Sequence, residues 1–127
     1  MLINASKQKR KPSIISQEEF DTLVDWTCDY IDNYLSKGYR SFTTKDLFGL
    51  THWDWSSKNL PIQSLYYKWR EKIELDTKGT IRDNVVSDRA FQNAGQAVGY
   101  VIKAACEKLP QKFKSVTEFR TTRYIVV

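Results

Sequence analysis

Residues 87–127, SDRAFQNAGQAVGYVIKAACEKLPQKFKSVTEFRTTRYIVV, decide how the rest of the chain is read. Ser87 before Asp88 is a plausible helix start, a capping hydroxyl with an acid in the first turn. Phe91, Ala94, Val98, Val101, Ile102, Ala105 and Leu109 then recur at the three-and-four spacing of a half-buried helix, which Pro110 stops. Beyond it, β-branched and aromatic residues interrupted by RTTR (120–123) predict two short strands joined by a tight basic turn. The other face of the helix carries Gln92, Asn93, Gln96, Tyr100 and Lys103. A merely solvated face more often carries Glu and Lys pairs, whereas amide, phenol and ammonium groups suit base edges and phosphates. Gly95 and Gly99 each cost about 1 kcal/mol within a helix. They either permit a close approach or mark a turn, with SDRAF and QAVGYVIKAACEKL as separate helices.

QNAGQAVGYVIKAACEKL followed by FKSVTEFRTTRYIVV resembles the recognition helix and wing that end a winged helix-turn-helix domain. The resemblance covers about a third of the chain. It implies an α+β, mainly helical fold with a C-terminal β-hairpin wing, and binding of double-stranded DNA.

The amino-terminal side supplies the matching beginning. Ser16 and Glu19 form a capping box, with Ile15 placed to staple against Phe20. Phe20, Leu23, Val24, Thr27, Ile31, Tyr34 and Leu35 make an apolar stripe. Glu18, Asp21, Asp25, Asp29 and Asp32 line the opposite side, and Gly38 follows the end. The acids present either a solvated face or, less simply, a row of metal ligands without a histidine. YRSFT (39–43) suits one strand, and Thr43 with Asp46 caps a short helix, TKDLFGL. Helix, strand, short helix is how winged-helix domains begin.

Residues 51–86 depart from that pattern, since a simple winged helix passes directly to its recognition helix. They hold an aromatic loop, a helix over 61–75 and the turn-rich TKGTIRDN. Ile62, Leu65, Tyr66, Trp69 and Ile73 make the predicted buried stripe of that helix, with Gln63, Tyr67, Lys68, Arg70 and Lys72 outward. The helix is either an insertion or the second helix of the helix-turn-helix. The expected organisation is a flexible basic arm over 1–14 and one domain over 15–127, with 51–86 inserted.

The net charge is +5 over 127 residues, and its distribution is uneven. Lys7, Lys9, Arg10 and Lys11 stand in an arm without acids, residues 18–32 hold six acids and no base, and the middle and C-terminal segments are basic again. Such separation orients a protein on a polyanion. Contacts to DNA are assigned to Gln92, Asn93, Gln96, Tyr100 and Lys103 in the major groove. Arg120, Thr121, Thr122 and Arg123 take the backbone or minor groove, and Lys45, Lys9, Arg10 and Lys11 the phosphates. Trp53 and Trp55 beside Lys58 either stack on unpaired bases or pack the loop.

Catalysis has little to stand on. His52 and Asp54 lack a nucleophile or second ligand, and no phosphate-binding glycine loop or paired-cysteine motif is present. The expectation is a non-enzyme without cofactor or metal. Cys28 and Cys106 are expected as reduced core thiols in a cytoplasmic protein without a secretory leader or membrane span. The function expected is a small transcriptional regulator or DNA-binding accessory factor. Two alternatives are a protein-interaction adaptor or inhibitor of a nucleic-acid machine, and a small nuclease. Homodimers on palindromic sites are implied by the resemblance, with the first helix and the 61–75 helix as candidate pairing or partner surfaces.

Overall fold

A capping box opens the first helix, α1 (Gln17–Leu35). Ser16 Oγ accepts the Glu19 N–H at 3.1 Å, and the Ser16 N–H donates to Glu19 Oε1 at 2.9 Å. The computed structural model describes residues 13–48, 61–118 and 121–127. Phe20, Leu23, Val24, Thr27 and Ile31 are buried along α1, with Tyr34 and Leu35 half-buried, as the periodicity predicts. Ile15 and Phe20 are both in the core. Gly38 turns the chain at φ 101°, in the left-handed region that favours glycine.

Strand β1 (Ser41–Phe42) leads into α2 (Thr44–Phe48) through a second reciprocal box. The Thr43 N–H donates to Asp46 Oδ2 at 3.1 Å and the Asp46 N–H to Thr43 Oγ1 at 3.2 Å. Residues 61–63 form a 3-10 turn that runs into α3 (Ser64–Thr77). Ile62, Leu65, Tyr66 and Ile73 are buried. Trp69 is half-buried. Gln63, expected outward, is 2% exposed. The 3-10 geometry is the reason: its tighter winding breaks the 3.6-residue phase on which that expectation rests.

α4 (Asp83–Lys108) is a single helix of 26 residues, which corrects two expectations. It starts one turn before Ser87, because Val86 is buried and the first turn is held from α3. Arg70 binds Asp83, and the Tyr66 and Ser87 hydroxyls share a hydrogen bond at 2.9 Å. It also runs unbroken through Gly95 and Gly99, so QNAG is not a turn. The glycine cost is offset by the buried face, where Ala90, Ala94, Ala97, Val98, Val101, Ile102, Ala104 and Ala105 meet α1 and α3. The Tyr66 and Phe91 rings stack at 4.6 Å. The α3 helix thus supplies part of the core rather than lying over it.

The chain closes with β2 (Phe113–Glu118) and β3 (Thr121–Val126). With β1 they form an antiparallel sheet in the order β1-β3-β2. Phe42, fully buried, faces Tyr124 across the β1–β3 pair and meets the Tyr34 and Phe113 rings. The fold is therefore α+β, with a helical body and a small C-terminal sheet. No described helix is long and apolar enough to cross a membrane.

Candidate nucleic-acid interface

Burying one face of α4 leaves the other in solvent. Gln92, Gln96 and Lys103 are exposed, as are Gly95 and Gly99 between them. A Cβ built at either glycine meets nothing within 4 Å, so the helix backbone is bare there. Asn93 and Tyr100 are half-buried, and Tyr100 packs against the core. These two border the stripe rather than stand at its crest. Asp88, Arg89 and Glu107 are also exposed on α4, so the charge along it is mixed. What the stripe offers a ligand is chiefly amide donors and acceptors with one ammonium.

The hairpin is built differently from the sequence expectation. Thr121, Thr122 and Arg123 lie in β3, not in a turn. The paired register runs as far as Glu118 and Thr121. Thr121 is exposed and Thr122 half-buried. Arg123 Nε donates to both Glu118 carboxylate oxygens, at 3.0 and 3.1 Å. Its Nη1 reaches Ser41 Oγ at 3.1 Å and Asp46 Oδ2 at 3.4 Å. The Glu118 hydrogen bond, partly opposed by desolvation, holds the guanidinium pKa above its ordinary value, with Asp46 adding to it. Arg123 therefore ties β3 to β2, β1 and α2. Nothing local in the sequence signals this, because Asp46 and Ser41 lie far off along the chain.

Lys45 is exposed on α2 beside the Thr43–Asp46 box. Lys9, Arg10, Lys11 and Arg120 lie outside the described residues, as do His52, Trp53, Asp54, Trp55 and Lys58. Comparison with known protein families, curated proteins and solved structures gave no match.

A groove of about 550 Å³ between the end of α4 and the hairpin was not foreseen. Lys103, Glu107, Gln111, Lys112, Ser115 and Tyr124 line it, and Gln111 Oε1 is buried without a hydrogen bond there. Its residues come from a helix and two strands whose register only the folded sheet fixes. Cys106 also lines it, and its thiol is pushed up to about 12, chiefly by burial and then by Cys28 and Glu107. At neutral pH that thiol is protonated and not a nucleophile. No disulfide joins Cys28 to Cys106, and the Cys28 thiol donates to the Ala105 carbonyl at 3.6 Å.

Glu18, Asp21, Asp25, Asp29 and Asp32 are exposed along α1. Asp25 pairs with Lys108, and Glu19 pairs with Lys68 at 3.0 Å. The Glu19 carboxyl is held below its usual range, first by the Ser16 N–H and then by Lys68. Among the described residues no three His, Cys, Asp or Glu side chains converge to hold a metal ion.

Proposed function

We propose that the chain binds double-stranded DNA by laying the exposed stripe of α4 into the major groove. The observation that carries this is the bare, amide-rich line of Gln92, Gly95, Gln96, Gly99 and Lys103 on one unbroken helix. Gln is able to pair with an adenine edge through two hydrogen bonds, and the glycines let the helix axis approach closely. The order of elements supports the same reading. A helix, a strand and a short helix precede the presented helix and hairpin, and β1 joins the hairpin in one sheet. These elements are the ones the winged helix-turn-helix resemblance implies, with α3 as an addition between the short helix and α4. Lys45, Lys103 and the amino-terminal bases supply phosphate contacts, while Arg123 holds the hairpin in place.

Titration of a fluorescent duplex at low and moderate salt tests the proposal. Binding that weakens steeply with salt is expected, since contacts to several phosphates release counterions. Gly99→Ala adds helix propensity of about 1 kcal/mol with no clash inside the protein. It is expected to raise the thermal midpoint while weakening the complex. Absence of binding at low salt would sink the proposal.

A second reading, a protein-interaction module, draws on the exposed acidic row of α1, which suits a basic partner. Capture of a basic protein partner that is lost on neutralising Asp21, Asp25 and Asp29, with no duplex affinity at low salt, would favour it.

A further inference from the structure

The outer edge of β2 matches itself. Among the described residues β2 ends the strand order β1-β3-β2, and Lys114, Ser115, Val116, Thr117 and Glu118 are all exposed. Val116, an apolar residue on an open edge, is 42% exposed. The Val127 N–H donates to the Lys112 carbonyl at 2.9 Å, which fixes the phase of the ladder. In an antiparallel pair, hydrogen-bonded and non-bonded residues alternate. Lys112, Lys114, Val116 and Glu118 therefore turn their backbone groups toward β3. Those of Ser115 and Thr117 point outward to the open edge.

We infer that two copies of the chain pair through this edge, β2 against β2, antiparallel about a two-fold axis at Val116. In that register Ser115 of one copy faces Thr117 of the other. The outward N–H and C=O groups of these two positions then close four hydrogen bonds between chains. Val116 meets its own copy at a non-bonded position, where side chains approach most closely. Lys114 falls opposite Glu118 twice, once on each side of the axis. Glu118 already holds Arg123 of its own chain, so each carboxylate sits between a guanidinium and the ammonium of the other copy. A shift of register by two residues in either direction loses both the Val116 pair and the charge match. Edge strands usually avoid such pairing by carrying unmatched charge. Here the charges at 114 and 118 are opposite and equally spaced from the centre, so they select the pairing rather than block it.

The inference does not depend on DNA binding. Sedimentation equilibrium of the full chain tests it, with Lys114→Glu, Glu118→Lys and Thr117→Pro. Wild type is expected to show a concentration-dependent monomer–dimer equilibrium. Each charge variant alone places like charges opposite one another and is expected to weaken association at least tenfold. Mixing the two variants in equal amounts restores both opposite pairs, so association is expected to recover. That recovery also separates the interface from any local effect of losing the Glu118–Arg123 contact. Thr117→Pro removes an outward N–H without touching the β2–β3 ladder and is expected to weaken association with an unchanged circular dichroism spectrum. A wild-type chain that stays monomeric throughout the micromolar range would overturn the inference. So would a dimer indifferent to these substitutions, or a variant mixture that fails to recover.

Discussion

The helical body and the C-terminal hairpin are held by different physics. In the body, α1, α3 and α4 bury Phe20, Ile31, Leu65, Val98, Val101 and Ile102 almost completely. In β2 and β3 no described side chain is fully buried, and only Phe113 and the inner residues of β3 are partly covered. The hairpin is fixed instead by its ladder, by β1 and Phe42, and by the contacts of Arg123. The body holds most of the buried core, and the hairpin packs on it chiefly through Phe113 and Tyr124.

The largest effect separates the two regions directly. Phe20→Ala in the body should cost about 3–5 kcal/mol, read as a lower denaturant midpoint. Val116→Ala on the hairpin should stay within about 0.5 kcal/mol. Comparable losses for both would break the comparison.

Cys106 sharpens it at the junction of the regions. Its thiol titrates near 12 in the folded chain and at about 8.5 when unfolded. The folded state thus keeps a proton that the unfolded chain has lost. The stabilisation is fully present below pH of about 8.5 and falls as pH rises toward 12. Unfolding curves from pH 8 upward should show that decline, and Cys106→Ala should flatten it. Tyr124 and Lys108 also have raised values and leave a residual slope in the variant.

Arg123→Ala is expected to have the smallest global effect and the most local one. Amide exchange should quicken in residues 113–118 and 121–126, with the α1 and α4 amides unchanged. Faster exchange throughout the helices would mean that the hairpin and body are one cooperative unit.

How much of this was legible in the sequence follows the range of each interaction. Both capping boxes involve residues three apart, and the sequence carries both partners side by side. The α1 stripe follows from periodicity and the two terminal strands from their β-branched and aromatic residues, although residues 121–123, read as part of the turn, lie in β3. The start of α4 was hidden because Arg82 gives no side-chain cap and the first turn is held by Arg70 and Tyr66 from another helix. Its continuity through two glycines depends on a buried alanine-rich face, a tertiary effect that outweighs propensity. Gln63 was misassigned for want of the 3-10 turn. Of the candidate site, Gln92, Gln96 and Lys103 were legible because exposure follows the helical phase. Arg123 was not, since its partners Ser41 and Asp46 are brought to it by the sheet.

The central proposal is most directly tested by following backbone amide resonances of the nitrogen-15-labelled chain as a DNA duplex is added. Four glycines serve as internal reporters. Gly95 and Gly99 lie on the exposed stripe of α4, and Gly38 and Gly79 lie in turns outside it. Binding through the α4 stripe predicts shifts at Gly95, Gly99, Gln92, Gln96 and Lys103, with Gly38 and Gly79 unmoved. Shifts confined to the acidic face of α1, or none at low salt, would contradict it.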